Sequence, residues 1–209
     1  MLTVINPARQ ATGLAVVHLY ARLMTVVGSR REQILAVAAE LFARHGFHGV
    51  SIADLGAAVG VSGPALYRHF PGKEALLAEL LVGISEHLLA GGRERAAASD
   101  DPGEVLAALV EFQAEFARRE PELIVVQDRD LANLPPAAQK KVRRLQRTYV
   151  EIWVDALRGL HPGLSPEEAR VAAHGAFGLL NSTPHAGRTP AAAALLREMA
   201  LAALTAAAR

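Results

Sequence analysis

From Arg30 onward no stretch of this chain alternates apolar and polar residues with period two, whereas apolar residues recur three and four apart almost throughout. A half-buried strand needs the first pattern and a helix packed on one side needs the second, so the chain is restricted to an all-α fold. Ile34, Val37, Ala38, Leu41 and Phe42 share one face of a first helix that stops at Gly46. Leu77, Leu80, Leu81, Ile84 and Leu88 share a face of a longer one, which is expected to fray near Gly91 and Gly92. Val142, Leu145, Tyr149, Ile152, Trp153 and Ala156 form a third stripe. Lys140, Lys141, Arg143, Arg144, Arg147 and Asp155 are left largely for the other face of that helix.

Prolines mark where helices begin. A proline at the first helical position lacks an N–H that would have had no partner there. Asp101-Pro102, Ser165-Pro166 and Thr189-Pro190 each put a capping side chain before such a proline, and Ser165 to Glu168 has capping-box spacing. Pro121 and Pro136 are read as two further starts. Together these signals predict helices over 30–45, 51–59, 63–69, 73–96, 102–118, 121–132, 136–159, 166–182 and 190–207, about nine in all, with no internal repeat.

Apolar residues make up 51% of the chain, ample for a packed core, and the net charge is only +1. Any surface for a polyanion must therefore come from local placement of charge. The absence of cysteine excludes disulfides, thiolate metal sites and cysteine nucleophiles, and it fits a reducing compartment. The apolar run Leu14–Leu19 is too short to span a bilayer and has no charged segment before it. Residues 1–28 are expected to be a flexible or partly helical extension, or to precede an internal start at Met24, and not a targeting segment.

Residues 51–70, SIADLGAAVGVSGPALYRHF, carry the most specific signal. Ser51 caps a helix, with Asp54 three residues on. Gly56 is small where a second helix must cross closely. Gly60 supplies a left-handed residue to reverse the chain. Val61 and Leu66 are placed for burial, and Ser62 caps a short helix beginning Gly63-Pro64. Two helices joined by so tight a turn form a helix-turn-helix, whose second helix enters the major groove of DNA.

The chain resembles the tetracycline-repressor (TetR) family over about residues 30–77. The matching positions are Leu55, Gly60, Val61, Ser62, Leu66, Tyr67, His69, Phe70, Lys73, Glu74 and Leu76, with Phe42, Gly46 and Phe47 upstream. It departs from the family pattern in having Ser51 for threonine, Gly56 and Val59 for alanine, and Gly63-Pro64 at the start of the second helix, which puts the base preference in question. The resemblance implies a DNA contact set of Ser51, Ser62, Gly63, Pro64, Ala65, Tyr67, Arg68, His69 and Lys73. Within it, Ser51, Tyr67, His69 and Lys73 would touch phosphates, Lys73 together with the N–H groups opening its helix. Gly63, Pro64 and Ala65 would face base edges and suit thymine methyls. Arg68 would reach a base or a phosphate, and Arg30 and Arg31 would add charge. Phe70 is read as core.

The same resemblance implies that the aromatics Phe112, Phe116, Tyr149, Trp153 and Phe177 line an effector cavity. His174, Gly178 and Asn181 share one helix face, and His174 and Asn181 would serve as polar anchors. The Ala-, Leu- and Gly-rich helices after Pro166 would form a homodimer interface. The domains expected are 1–28 extension, 29–75 helix-turn-helix and 76–209 effector binding and dimerisation. The stretch from Asp128 to Trp153 is similar, less specifically, to family members that control acyl-coenzyme A metabolism.

The function implied is a cytoplasmic, ligand-released repressor acting as a homodimer on a near-palindromic double-stranded operator, with no membrane role. The alternatives are an activator or constitutive binder of the same fold, or a helical small-molecule-binding protein or enzyme without DNA binding. No catalytic pair, P-loop or nucleophile elbow appears, and no cofactor is implied. His45 and His48 have spacing that permits a metal, but no acidic or thiol partner is near in sequence, so no metal is expected.

Overall fold

A computed structural model describes residues 29–186 and 189–206; the expectation for residues 1–28 lies outside them. Among the described residues there is no strand. The helices are α1 (Arg30–His45), α2 (Ile52–Ala58), α3 (Gly63–Leu66), α4 (Lys73–Ala96), α5 (Pro102–Arg119), α6 (Pro121–Asp130), α7 (Pro136–Leu160), α8 (Pro166–Leu180), α9 (Thr183–Ala186) and α10 (Pro190–Ala206). A 3-10 turn, Leu131–Asn133, follows α6.

The helix starts follow from local hydrogen bonds. Asp101 Oδ1 accepts from Gly103 N at 2.7 Å and Ser165 Oγ from Glu168 N at 3.2 Å. Thr189 Oγ1 accepts from Ala192 N at 3.1 Å, so each predicted cap satisfies an N–H that the helix itself leaves unpaired. The one added helix, α9, arises at Pro184. Proline has no N–H for the Leu180 carbonyl, and the Thr183 hydroxyl donates to that carbonyl instead, at 2.7 Å. The predicted helix over 166–182 therefore stops at Leu180 and restarts as a separate turn.

The described residues fall into two compact units. One comprises residues up to 87 together with 126–140; the other comprises 88–125 together with 141 onward. Helices α4, α6 and α7 each run through a boundary between them. In the first unit Ile34, Leu35, Phe42, Leu55, Leu66, Phe70, Leu76 and Leu77 are buried. In the second α10 packs on α8 and α5, and Leu106, Leu109, Trp153, Leu157 and Leu180 are buried. By length and composition α4 could cross a membrane, yet 61% of its most apolar window is buried inside the protein, as in a core helix.

Helix α4 does not fray at Gly91 and Gly92 but continues to Ala96. The glycines instead receive rings. A Cβ at Gly91 would lie 2.2 Å from Phe112 Cζ, and one at Gly92 would lie 2.6 Å from Tyr149 Cε2. These contacts are unequal. Phe112 is half-buried, whereas Tyr149 is buried and its hydroxyl is hydrogen-bonded. Alanine gains about 1 kcal/mol of helix propensity over glycine. Gly91→Ala is therefore expected to be near neutral, and Gly92→Ala to destabilise by about 1–3 kcal/mol through overpacking. Urea denaturation of both variants checks the order.

Between α5 and α6 the Glu120 carboxyl is largely buried. That burial, with Glu122 nearby, pushes it up to about 7 against the opposing Arg119 charge. In the unfolded chain it ionises near 4.5. Its contribution to stability is thus greatest below pH 4.5 and is lost as pH rises from there to 7. Glu120→Gln is expected to be more stable than wild type by about 1–2 kcal/mol at pH 8, after allowance for partial exposure. The difference should close at pH 4, and melting curves at the two pH values measure it.

Candidate nucleic-acid interface and effector site

In the first unit α2 opens with a reciprocal cap. Asp54 N donates to Ser51 Oγ at 3.1 Å, and Ser51 N and Oγ donate to Asp54 Oδ2 at 2.8 and 2.6 Å. The Ser51 bonds hold the exposed Asp54 carboxylate below its ordinary range. The Ser51 hydroxyl proton is thereby committed to Asp54.

The turn follows at Gly60, whose φ of 69° is left-handed. Val61 N then donates to Gly56 O at 2.8 Å, and a Cβ at Gly56 would lie 2.8 Å from Val61 O. Gly56 is therefore small to let the backbone of the turn close on it, more than to let α3 cross. Val61 is half-buried and Leu66 fully buried. Ser62 Oγ accepts from Ala65 N at 3.3 Å and starts α3.

Pro64, Tyr67 and Arg68 are exposed, with Tyr67 at 55%, and Gly63, Ala65 and His69 are half-buried. An exposed tyrosine beside buried Leu66 and Phe70 is not part of the core.

Two cations expected at DNA are engaged within the protein. Arg31 forms an ion pair with Glu79, its Nε donating to Oε1 at 3.1 Å. Its guanidinium also donates to the His69 carbonyl and lies 4.0 Å over the Phe70 ring. It thus ties α1, the end of the recognition segment and α4 together. Lys73 is half-buried, with Nζ donating to Phe47 O at 3.0 Å and Val50 O at 3.1 Å and lying 4.5 Å over the Phe47 ring. Two of its three N–H donors hold the α1–α2 loop, leaving one for another acceptor. Arg30 donates to Gln33 at 2.9 Å.

The end of α6 and the turn after it also attach to α1 and the loop that follows it. Arg129 Nη1 donates to Ala43 O at 3.2 Å and Nη2 to Phe42 O, capping the C-terminal end of α1. Buried Asp130 accepts from Arg129 Nε at 3.2 Å and from Phe47 N at 3.4 Å. His48 Nε2 bonds Asn133 Oδ1 at 2.9 Å. Among the described residues no cluster of three or more His, Asp or Glu is arranged to hold a metal.

In the second unit Phe177 lies 4.8 Å from Trp153 and 5.8 Å from Tyr149, centroid to centroid, and 6.2 Å from His174. Phe112 stacks under Arg95 at 4.0 Å, and Phe116 is buried on the same helix. His174 is exposed, on a face with Val171, Gly175 and Gly178. Asn181 is half-buried.

Gln113 was not singled out from the sequence. Its Nε2 donates to Asn181 Oδ1 at 2.9 Å, and its Oε1 accepts from the Tyr149 hydroxyl at 3.1 Å. The signal for it was a polar residue in the middle of the apolar stripe Leu109, Val110, Phe116 and Ala117. Burial pushes the Tyr149 hydroxyl well above its ordinary range, against the nearby Trp153 and Arg95, so it stays protonated. Trp153 is fully buried and its Nε1–H has no hydrogen-bond partner. An unmet buried donor of this kind costs about 1–3 kcal/mol.

A capped helix-turn-helix followed by a helical unit with a polar-threaded aromatic core defines a DNA-binding regulator. Residues 34–80 match the bacterial regulatory proteins of the tetR family, and residues 99–185 match a tetracyclin repressor-like C-terminal domain. The chain is 32% identical over 148 residues, 68% of its length and 72% of the relative's, to the HTH-type transcriptional repressor KstR2 of Mycobacterium tuberculosis. It is 30% identical over 151 residues, 70% of its length and 66% of the relative's, to the HTH-type transcriptional activator FasR of Mycolicibacterium smegmatis. A TetR-family regulator from Bordetella parapertussis has the same fold, with a TM-score of 0.79 at 27% identity over 85% of this chain and 95% of that one. The chain belongs to the tetR family of transcriptional regulators.

Lys73→Met keeps the apolar stem and removes both loop hydrogen bonds. It is expected to destabilise the protein by about 1–3 kcal/mol, the range for charged hydrogen bonds, in the absence of any DNA. Chemical denaturation measures this, and an unchanged midpoint would show that the loop holds itself.

Proposed function

We propose that this regulator is a repressor, binding a near-palindromic operator as a homodimer and released from it by a small amphipathic ligand. The observation that carries DNA binding is the exposure of Pro64 on the short helix α3, and of Tyr67 and Arg68 in the turn that ends it, on a segment anchored from behind by Leu66, Phe70 and Arg31. Gly63, Pro64 and Ala65 meet base edges. Ser62, Tyr67, Arg68, His69 and the remaining N–H of Lys73 meet phosphate, with Arg68 also within reach of a base, whereas Ser51, whose N–H and hydroxyl both donate to Asp54, is withdrawn from the phosphate contacts expected of it. Repression is supported by the KstR2 relative; FasR, an activator, matches over a similar length at slightly lower identity. Binding to DNA puts the protein in the cytoplasm.

Dimerisation is supported by apolar side chains left in water on two helices that pack together. Val171 on α8 is 73% exposed, and Leu195 and Met199 on α10 are 57% and 45% exposed. Apolar groups clustered in this way favour a second copy, and a two-fold dimer presents two recognition helices to successive major grooves.

The ligand occupies the aromatic core of the second unit, among Phe112, Phe116, Tyr149, Trp153 and Phe177, with Asn181 at the end of its polar chain and His174 at its exposed edge. An acyl-coenzyme A thioester is the first ligand to test. A solved structure of the same fold at 20% identity, AibR, contains isovaleryl coenzyme A and operator DNA. Arg143, Arg144 and Arg147 are exposed cations on α7 suited to phosphate. They lie about 120–160° around the helix from Tyr149, so the head group must bend round the helix edge while the acyl chain enters the core.

The test is fluorescence anisotropy with the DNA upstream of the protein's own coding sequence. Arg68→Ala should weaken binding and lower the slope of log affinity against log salt by about one. Acyl-coenzyme A esters of several chain lengths should release the operator, while free fatty acid and free coenzyme A should not. A roughly hundredfold preference for the released conformation supplies about 2.7 kcal/mol. Release by none of the esters removes the acyl-coenzyme A assignment, and an unchanged salt slope removes Arg68 from the contact set.

A further inference from the structure

We propose that the Trp153 indole N–H is the anchoring donor of the effector site and selects a neutral oxygen acceptor carried within an apolar body. This rests on the reading that the ligand occupies the aromatic core. Trp153 is fully buried, and its Nε1–H is the buried side-chain donor left without a partner among the described residues. The Tyr149 hydroxyl oxygen lies close enough to be felt by the indole, but no neighbouring acceptor meets the N–H in hydrogen-bond geometry. The Tyr149 ring stands edge-on at 6.2 Å between centroids, and its hydroxyl donates to Gln113 Oε1 at 3.1 Å. Gln113 Nε2 then donates to Asn181 Oδ1 at 2.9 Å. The Tyr149 hydroxyl proton is thus committed to Gln113, and the chain ends with the Asn181 carbonyl oxygen accepting from Gln113.

The donor set is also neutral. Tyr149 keeps its proton, because burial pushes its hydroxyl up. The charge nearest to it, Arg95, is already held by Gly91 O at 3.1 Å and by the Phe112 ring face at 4.0 Å. A carboxylate brought here would lose its water without gaining a free cation. A ketone, ester or thioester oxygen loses much less and completes the N–H bond. Phe177, half-buried and 4.8 Å from the indole between centroids, is the ring that must move to admit it.

The chain has one tryptophan, so the indole N–H gives a single cross-peak in a proton–nitrogen correlation spectrum of the nitrogen-15-labelled full-length protein. Acetophenone, isopropylbenzene and benzoate serve as matched probes: a neutral acceptor, its hydrocarbon isostere and an anion. Acetophenone is expected to move the indole proton downfield, and the other two are not. Trp153→Phe should weaken acetophenone about tenfold while leaving isopropylbenzene within about twofold. The proposal is overturned if the peak ignores acetophenone, moves equally with isopropylbenzene, or moves further with benzoate. It is also overturned if Tyr149→Phe shifts the unliganded peak upfield, since Tyr149 would then already be the acceptor. Acyl-coenzyme A esters that fail to release DNA while acetophenone moves the peak remove the thioester assignment and leave this one standing. Esters that release DNA without moving the peak do the reverse.

Discussion

A helix of four residues cannot hold itself together in water, because nucleation fixes more dihedrals than its few hydrogen bonds repay. Helix α3 is such a helix, and Arg31 is what makes it usable. One guanidinium reaches from α1 to the His69 carbonyl, lies over Phe70 and pairs with Glu79 on α4. With Leu66 and Phe70 buried beneath it, the recognition segment becomes a rigid projection of the three-helix packing. The Gly56–Val61 approach sets where the segment starts and the Arg31 bonds set where it ends. Tyr67 and Arg68 then face water at defined positions, as the proposed DNA contacts require.

The end of α1 and the loop after it are secured by the same means, cations donating to carbonyls. Lys73 takes the carbonyls of Phe47 and Val50, and Arg129 takes those of Phe42 and Ala43. Asp130 then accepts from the Phe47 N–H. The charged element before Leu134-Pro135 therefore belongs structurally with the helix-turn-helix. Positive charge that looks available to phosphate in the sequence is largely used for architecture, and the DNA surface is left with fewer, better-placed groups. That is consistent with a net charge of only +1.

The second unit combines two requirements that pull against each other. Glycines 91 and 92 bring rings tightly onto α4, as in any packed core. Yet Asn181, Gln113, Tyr149 and Trp153 thread polarity through that core and leave one donor unmet. A protein selected for stability alone would fill those positions with apolar groups. On the proposed reading, a partly satisfied network suits a core that must also accept a ligand, because the free and liganded states can then differ by a few hydrogen bonds.

The sequence by itself determined the helical class, the helix starts and the helix-turn-helix. Each of these depends on groups within four residues of one another: a cap and its N–H, a proline at a first turn, a left-handed Gly60, a stripe repeating every three or four positions. The same local logic located Tyr67 and Arg68 on the outside and Phe70 on the inside. What it could not supply were partners. Arg31 finds His69 and Glu79 at separations of 38 and 48 residues. Lys73 finds Phe47 at 26, Gln113 finds Asn181 at 68 and Arg129 finds Phe42 at 87. A cation in a sequence reads as charge offered to a ligand, and a lone glutamine in an apolar stripe reads as an exception. Only the tertiary structure decides whether each is free for DNA, engaged with a carbonyl or part of a polar chain, because hydrogen bonds saturate at short range and the chain must fold before those groups meet.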